Sequence, residues 1–336
     1  MNQITTVAID LAKNVFQLHG VDARGVAVLR RQFRRAQLLS FIAQLSPCLV
    51  AMEACGGAHH WGREIARLGH RVKLIPPQYV KPFVKGNKTD RNDAEAICEA
   101  ALRPRMPEVA VKSVEQQGLL AVHRMRQLLD KQRKQLGNQL RGLLLELGVA
   151  IPCGVAALRR AIPEIIEQMS PLLRPSLRQA WERLLELEDA YATHTKRIEQ
   201  YAKDNALCRR LMQERGVGPM IASAYIATVG DPARFRNGRQ VSASLGIVPR
   251  QHSTGGKPLL LGISKRGDGY LRMLLIHGAR AVMSHVPGKE DALSRWMQQL
   301  AHRRGVNRAS VALANKMARR LWAIWRTEGP ALAMAA

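Results

Sequence analysis

The sequence has few cysteines and no long apolar run, and both shortages exclude classes of protein. Its 336 residues include 5 cysteines, which are scattered and form no Cys-x-x-Cys pair. Neither a disulfide framework nor a cysteine zinc cluster is therefore indicated. No apolar run reaches the roughly 18 residues that a membrane-spanning helix needs, and the N-terminus lacks the layout of a signal peptide. We expect a reduced, cytoplasmic protein.

Acidic residues are also scarce. The chain has 26 Asp and Glu against 52 Lys and Arg, which gives a formal net charge of +26. This excess predicts a polyanionic partner, with nucleic acid the first candidate and a membrane surface the weaker one. Because 46% of the residues are hydrophobic, the chain is expected to be globular, and its length allows two or three domains.

The first 110 residues carry the pattern of a mixed sheet with helices packed on it. Residues 4–9 and 48–52 are short apolar runs that predict buried strands, and these end at Asp10 and Glu53. A meander of two more strands follows the first run, and residues 71–77 predict a further strand. Strands in a meander followed by alternating helices and strands predict an α/β domain over residues 1–110.

Four carboxylates occupy particular places in this pattern. Asp10 and Glu53 end predicted strands, while Asp90 and Asp93 lie three residues apart at a predicted helix start and so share one helix face. Acids at a helix start are also explained by capping and the helix dipole, and acids at strand ends can simply lie at the surface. Four converging carboxylates would repel one another, and Mg²⁺ or Mn²⁺ would resolve this. Such ions can clamp the oxygens of a phosphoryl transfer.

Residues 111–205 have a helical pattern that is broken at Gly148. Leucines recur every three or four residues before the break, and a second pattern runs from Leu177 to Ile198. Two long helices joined by a Pro/Gly-containing link predict an antiparallel coiled-coil arm, which would favour oligomers. An ordinary helical bundle within one monomer explains the same pattern equally well.

Residues 206–330 predict a mostly helical domain that contains two glycine-rich motifs. Gly216-Val217-Gly218 resembles the turn of a helix-hairpin-helix motif, which can hold a phosphate on backbone N–H groups; a plain helical hairpin is the alternative. Gly255-Gly256 lies in a basic segment whose residues alone predict a phosphate-contacting loop. At the end of the domain, tryptophans such as Trp296 and Trp322 are predicted to be packing residues.

Basic residues near these motifs are the predicted contacts to nucleic acid. They lie just before Asp90 and around the second glycine motif: Lys85, Lys88, Arg250, Lys257, Lys265, Arg266 and Arg272. The second motif also offers two adjacent hydroxyls, Ser253 and Thr254. A serine needs an activating group to act as a nucleophile, and His252 and Arg250 are near in sequence.

Three N-terminal motifs and the glycine-rich basic segment together resemble one family. The motifs are V-A-I-D-L-A-K, M-E-A-C-G-G and N-K-T-D-R-N-D-A. They resemble the Asp-Glu-Asp-Asp transposases of the insertion-sequence 110/1111 family, whose catalytic half is similar to the RuvC Holliday-junction resolvase. The resemblance implies an RNase H-like fold for this part of the chain. It also implies metal-binding roles for Asp10, Glu53, Asp90 and Asp93.

The same resemblance implies a serine nucleophile that forms a covalent phosphoseryl link to DNA. The family serine directly precedes the glycine in some members, where this chain has Thr254; because the family uses serine, Ser253 is the predicted nucleophile. A noncoding bridge RNA that pairs with target and donor DNA is also implied, with dimers that pair into tetramers. Two alternatives are a metal-dependent junction nuclease that uses water and a non-catalytic nucleic-acid-binding protein with structural acids.

Overall fold

The computed structural model describes residues 3–87 and 89–334. The chain forms two compact units, Met1–Glu115 and Gln116–Ala336. The first unit contains the predicted sheet domain and the first five residues of the predicted arm, and the second contains the rest of the arm and the predicted C-terminal domain. The division of the second unit near residue 205 stays a prediction. Among the described residues, no helix is both long and apolar enough to cross a membrane.

A mixed five-stranded sheet forms the centre of the first unit. Its strands are β1 (Thr6–Leu11), β2 (Val15–Val21), β3 (Ala27–Arg34), β4 (Leu49–Glu53) and β5 (Arg71–Ile75). They lie in the order β3-β2-β1-β4-β5, with β1, β2 and β3 paired antiparallel and with β4 and β5 parallel to β1. The predicted mixed sheet is confirmed, and it is consistent with an RNase H-like domain.

The two faces of this sheet are covered by different helices. The helices are α1 (Leu38–Ile42), α2 (Ala58–Arg67), α3 (Pro77–Val80) and α4 (Asp90–Leu102), with 3₁₀ turns at Arg35–Gln37 and Lys81–Phe83. Side chains alternate along a strand, so Val7 and Ile9 of β1 pack in the same core as α1 and α2. Ala8 of β1 and Ala51 of β4 lie on the other face and pack with α4. Their small side chains let the helix approach the sheet closely.

The second unit is helical apart from one two-stranded sheet. Its helices are α5 (Val114–Glu146), which begins in the first unit, α6 (Val155–Gln168), α7 (Arg174–Asp204), α8 (Ala206–Leu211), α9 (Pro219–Val229), α10 (Gly238–Ser244), α11 (Gly269–Met283), α12 (Ala292–Arg304) and α13 (Val306–Met334). A 3₁₀ turn spans Pro232–Arg234, and the sheet consists of β6 (Pro249–Thr254) and β7 (Lys257–Ile263).

The predicted pair of long helices is present, but a third helix occupies the link between them. Helices α5 and α7 contain 33 and 31 residues. The intervening α6 buries Leu158 and Ile162 in the same cluster as Leu140 of α5 and Leu184 of α7. Helix α6 was not predicted, because glycine and proline in the link were interpreted as breaks, although its leucine and isoleucines recur every four residues. The coiled-coil arm therefore stays a prediction.

Helix α9 lies at the centre of the second core of this unit. Nearly every residue from Ile221 to Val229 is buried, and Tyr225 is fully buried. The Tyr225 hydroxyl donates to the carbonyl oxygen of Ala318 on α13 at 2.8 Å, and burial raises its pKa. Because α9 is buried on all sides, it acts as the packing axis for α11 and α13.

A buried histidine joins three helices of this core. His123 of α5 is only 1% exposed. Its Nε2 lies 3.0 Å from Ser223 Oγ on α9, and its Nδ1 lies 3.0 Å from the Tyr270 hydroxyl on α11. Ser223 Oγ already donates to the Pro219 carbonyl at 2.6 Å. The neutral ring therefore donates from Nε2 to Ser223 and accepts at Nδ1 from Tyr270.

Lowering the pH from 7 to 5 should destabilise the second unit by about 2 kcal/mol through His123 alone. Burial, together with a smaller contribution from the positive charge of Arg126, lowers the pKa of His123 from 6.5 to about 4. Below pH 6.5 the unfolded ring gains a proton while the folded ring stays neutral until about pH 4. The unfolded state therefore binds more protons in this window, and the free energy of unfolding decreases as the pH is lowered.

Urea unfolding at the two pH values measures this loss. His123→Gln should make the stability less dependent on pH, whereas His302→Gln, at an exposed position of α12, should leave the dependence unchanged. An equal loss of stability in wild type and His123→Gln would contradict the prediction.

Candidate active site

Asp10 and Glu53 lie beside each other at the carboxyl ends of β1 and β4, two neighbouring strands inside the first unit's sheet. Strands β1 and β4 run parallel with Ile9 opposite Met52, so the next residue of each strand is one of the two acids. Each acid is two residues beyond an alanine, Ala8 or Ala51, that packs with α4. Because side chains alternate, both carboxylates belong to the sheet face that α4 covers. The carboxyl ends of parallel strands are the usual place for a site in such sheets.

Helix α4 begins with the other two acids. Its N-cap is Thr89, whose Oγ1 accepts from the Asn92 N–H at 3.2 Å. Asp90 and Asp93 follow in the first turn, where Asp90 is exposed and Asp93 is half-buried. The cap is thus made by the threonine, and capping does not account for either aspartate. Both still lie at the positive end of the helix dipole.

Asp93 belongs to the side of α4 that packs on the sheet. Ala96, Ile97 and Ala100 follow it by three, four and seven residues, and all three are buried in the core between α4 and the sheet. The other end of the helix is held by Lys73 of β5, whose ammonium group donates to the Ala101 carbonyl at 3.0 Å. Asp93 therefore lies on the side of α4 that packs on the sheet face to which Asp10 and Glu53 belong.

The charges of Asp10 and Glu53 both affect the pKa of the Cys55 thiol. Burial raises the pKa of Cys55, and the negative charges of Glu53 and Asp10 raise it further. In residues 3–87 and 89–334, no three or more His, Cys, Asp or Glu side chains are grouped as metal ligands. The donor set nevertheless fits a divalent ion by its chemistry, because paired carboxylate oxygens are the ligands that Mg²⁺ and Mn²⁺ prefer.

The segment before α4 is fixed by Asn92. Its side-chain amide donates to the carbonyls of Lys85 at 3.1 Å and Asn87 at 2.8 Å. Lys85 is exposed there, so its ammonium group can meet a phosphate. Lys88, the other predicted contact in this segment, lies outside the described residues.

Ser253 lies on an exposed β-hairpin rather than in the predicted loop. Strands β6 and β7 pair antiparallel with Thr254 opposite Lys257, so that Gly255 and Gly256 form a two-residue turn. Their φ angles are 56° and 75°, as the tight turns of hairpins require. Every residue of β6 is exposed. The second unit therefore presents Ser253 on a strand instead of burying it.

The hairpin separates the two candidate hydroxyls onto opposite faces. Ser253 shares its face with Gln251, and Thr254 shares the other with His252, because alternate residues of a strand face the same way. Gln251 donates from Nε2 to Ser253 Oγ at 2.7 Å. This bond orients the hydroxyl and stabilises negative charge on its oxygen. His252, an activating group suggested by proximity in sequence, lies on the face of Thr254.

Gln251 was not among the residues predicted from the sequence. It can be found once the segment is recognised as a strand, because residues two apart in a strand lie on the same face. Arg250, Gln251, His252, Ser253 and Thr254 all favour solvent, so the segment shows no apolar alternation that would indicate a strand. Once Gly255-Gly256 is taken as a hairpin turn, residue 251 is the nearest neighbour of Ser253 on its own face.

The base of the hairpin is held by close backbone contacts. Ser264 N–H donates to the Val248 carbonyl at 2.8 Å, and Lys265 N–H donates to the Gly246 carbonyl at 3.1 Å. The guanidinium of Arg272 donates to the carbonyls of Leu245 at 3.0 Å and Arg266 at 2.9 Å. Arg272, a predicted phosphate contact, therefore also braces the hairpin. The other predicted contacts here are exposed, namely Arg250, Lys257, Lys265 and Arg266.

Gly267→Ala should lower the free energy of unfolding by more than about 3 kcal/mol. A Cβ at Gly267 would lie 1.8 Å from the Ser244 carbonyl oxygen, and its φ is 71°. At the hairpin tip, Gly255→Ala meets nothing within 4 Å, so it should cost only the roughly 1–2 kcal/mol of a left-handed backbone. Urea unfolding of both variants measures the difference, and equal losses would contradict close packing at the base.

The turn of the predicted helix-hairpin-helix motif is packed against α11. Gly216 has a φ of 81°, and a Cβ there would lie 2.7 Å from the Gly278 carbonyl oxygen. A Cβ added to Gly278 would in turn lie 2.2 Å from the Gly216 carbonyl oxygen. These two glycines let the turn and α11 touch backbone to backbone, which explains Gly216 by packing. A phosphate contact at Gly218, the N-cap of α9, stays a prediction.

Comparisons with known proteins agree on one kind of enzyme. Residues 7–148 match a DEDD transposase family of IS110 elements, and residues 208–294 match a family described as "Transposase IS116/IS110/IS902 family". Both matches describe transposases, which are enzymes that act on DNA. A DEDD transposase domain implies a divalent metal ion, in agreement with the carboxylates of the first unit.

Curated relatives match over almost the whole chain. A probable family 20 transposase of Pseudomonas aeruginosa is 51% identical over 330 residues, which cover 97% of this chain and 98% of the relative. The transposase for insertion sequence element IS1111A of Coxiella burnetii is 45% identical, covering 96% and 90%. That for element IS1328 of Yersinia enterocolitica is 41% identical, covering 96% and 97%. This chain belongs to the IS116/IS110/IS902 family of transposases.

Proposed function

We propose that this transposase cuts and exchanges DNA strands with a serine nucleophile and a metal-binding carboxylate site, guided by a noncoding bridge RNA. The observation that carries the proposal is the exposed Ser253 on its hairpin, with its Oγ held by Gln251. A catalytic serine must reach a phosphodiester, and a core position would prevent it. Asp10, Glu53, Asp90 and Asp93 would supply the other half of the chemistry as metal ligands.

The chemical step balances as a transesterification. Ser253 Oγ attacks the scissile phosphorus, a serine oxygen–phosphorus bond forms, and the bond from phosphorus to one sugar oxygen breaks. The serine proton is lost to a base, and the departing sugar hydroxyl takes up a proton. The phosphoseryl link keeps the energy of the phosphodiester, so a second DNA strand end can reverse the attack and complete the exchange.

The carboxylates would hold Mg²⁺, or Mn²⁺ in its place. Asp10 and Glu53 would supply oxygens from the sheet edge, and Asp90 and Asp93 from the first turn of α4. When bound there, the ion would supply stabilisation of the charge that develops on the phosphoryl oxygens. Gln251 would hold Ser253 in one rotamer for attack, and it would stabilise the oxygen as it loses its proton.

The charge of the chain supports large nucleic-acid partners. With a net charge of +26, the protein can neutralise the backbones of target DNA, donor DNA and RNA together. When base pairing between RNA and DNA selects the sequence, the protein mainly has to hold backbones. We propose that it does so in the cytoplasm as a dimer that pairs into a tetramer, with Lys85, Arg250, Lys257, Lys265 and Arg266 on phosphates.

A second candidate is a metal-dependent junction endonuclease that uses water. One observation favours it: the face of the hairpin that carries Ser253 presents an amide, Gln251, in contact with the hydroxyl instead of a base. Such an enzyme would need the carboxylates and would not need Ser253. Its product would be cut DNA with no protein attached.

The RNA is tested by exchanging its sequence. The protein is produced together with the DNA that flanks its own coding region, and the RNA that co-purifies is sequenced and removed with ribonuclease. Cleavage should stop on removal and return with the synthetic RNA, and a changed guide segment should redirect cleavage to a matching DNA. If cleavage continues at the same target after ribonuclease treatment, the proposal that an RNA guides the enzyme is wrong. That result would not bear on the proposed serine nucleophile.

A further inference from the structure

A basic, tryptophan-lined cavity lies in the second unit outside the serine hairpin. Its volume is about 500 Å³, and its walls come from α10, α12 and α13. This volume is within the roughly 300–1,000 Å³ range of ordinary ligand pockets. The side chains that matter for its chemistry are Trp296, Asn315, Lys316, Arg319, Arg320 and Trp322.

The two tryptophans of the cavity are held in place from behind. Both are half-buried and pack against the core of this unit, as the sequence predicted. The indole N–H of Trp322 donates to the Pro232 carbonyl at 3.0 Å, which sets the orientation of its ring. Gly238 also lines the cavity, where a Cβ would lie 3.1 Å from Arg319 Cα. The wall formed by α10 and α13 is therefore closely packed.

The cations of the cavity lie next to these rings. The ammonium of Lys316 is 4.6 Å from the centroid of the Trp296 ring, and Arg319 is exposed at the rim. Arg320 pairs with Glu214 at 2.9 Å, which leaves Lys316 and Arg319 as the main positive charges. Helix α12 contains no acidic residue, and Glu328 of α13 is paired with Arg210 at 2.6 Å.

We propose that this cavity binds one unpaired nucleobase of a single-stranded nucleic acid, together with the phosphates beside it. Aromatic faces accept any base by stacking, and adjacent cations follow the backbone. A planar guanidinium at the rim suits a phosphate. The proposal rests only on the work of a transposase on nucleic acid, and it requires neither the bridge RNA nor the serine link.

The cavity also adjoins the base of the serine hairpin. Asn315 lines the cavity and donates from Nδ2 to the Ile247 carbonyl at 3.1 Å. Ile247 lies two residues before Pro249, the first residue of β6. A base held in the cavity would therefore place its strand alongside the element that carries Ser253. The base held in the cavity could come from a nucleotide turned out of a DNA duplex or from an unpaired segment of RNA.

The test compares strands that differ only in their bases. Fluorescence anisotropy of the whole protein is measured with labelled strands of roughly 12 nucleotides, which is within the usual range of site sizes. The probes are oligothymidylate, oligouridylate, an abasic deoxyribose strand of the same length and a duplex. Wild type should bind oligothymidylate about tenfold more tightly than the abasic strand. The two base-bearing probes distinguish DNA from RNA as the source of the base.

Matched variants assign the preference to the cavity. Trp296→Leu should remove the preference for bases, while Trp296→Phe, which keeps an aromatic face, should retain most of it. Arg319→Gln should weaken all single strands and lower their salt dependence. Arg326→Gln, exposed two turns further along α13 and outside the cavity lining, should change binding much less.

Two outcomes would overturn the inference. One is equal binding of oligothymidylate and the abasic strand by wild type. The other is a loss in Trp296→Leu that is as large for the abasic strand and the duplex as for oligothymidylate. If that variant unfolds, an iodouracil-bearing strand is photocrosslinked to wild type, and the crosslinked peptide should contain Trp296 or Trp322. A crosslink elsewhere counts against the cavity. These experiments measure binding and not DNA cleavage. A negative result therefore contradicts the base-binding cavity without contradicting the proposed reaction, and a failure of the proposed reaction does not contradict the cavity.

Discussion

Asp10→Asn should lower the rate of DNA strand cleavage by at least about 10³-fold, because removal of one charged ligand takes away several kcal/mol of charge stabilisation. The change keeps the size of the side chain at the edge shared by β1 and β4. Cleavage of labelled DNA in Mg²⁺ measures the rate. Glu64→Gln is the matched control, since Glu64 pairs with Arg67 at 2.7 Å on α2, which covers the opposite face of the sheet.

A second readout separates metal binding from folding. At about ten times its dissociation constant, Mg²⁺ or Mn²⁺ should raise the free energy of unfolding of wild type by about 1.4 kcal/mol. Asp10→Asn should lose this stabilisation, and Glu64→Gln should keep it. If Asp10→Asn cleaves normally, or if both variants respond equally to the ion, the carboxylate edge is not the metal site.

Ser253→Ala should abolish the covalent link between protein and DNA and lower strand exchange by at least about 10⁴-fold, as expected for loss of a nucleophile. The hydroxyl is exposed on β6 and supports no core contact, so the variant should fold like wild type. Labelled DNA that spans the element junction is incubated with the protein and Mg²⁺. A denaturing protein gel then shows whether label remains attached to the chain.

Thr254→Ala is the control for Ser253, because it removes a neighbouring hydroxyl from the opposite face of the same hairpin. It should keep the labelled protein band. A band lost in Thr254→Ala and kept in Ser253→Ala would assign the attack to the threonine, which directly precedes Gly255. Cut DNA without any protein-linked band in wild type would support the endonuclease that uses water.

The places of the four acids in the fold were predictable because strand ends and helix starts are local features, while their joint role as one metal site stays a proposal. Apolar runs that stop at Asp10 and Glu53 mark the ends of strands, and the spacing of Asp90 and Asp93 sets their common helix face. Local patterns do not say which strands are neighbours. Only the pairing of β1 with β4 places Asp10 beside Glu53, and only the packing of α4 on Ala8 and Ala51 places that helix on the same face of the sheet.

The hairpin was harder to predict, because its residues have no buried side. A strand is recognised by alternation of apolar and polar residues, and β6 is polar throughout. Its position depends instead on close approaches at Gly246 and Gly267 and on the bonds from Arg272. These contacts join residues that a local pattern cannot relate. Gln251 was missed because the polar segment was not recognised as a strand, and His252 was considered as an activator although it lies on the face of Thr254.

By itself, the sequence determined the chemistry that this protein carries: a strong excess of positive charge, four acids at element ends, adjacent hydroxyls beside a glycine pair, and long helical patterns. These properties depend on residue type and on spacing over a few positions. The tertiary structure decided which distant groups are neighbours, including Asp10 with Glu53 and Trp296 with Lys316. Such neighbours come from strand pairing and helix packing, which depend on many distant side chains at once.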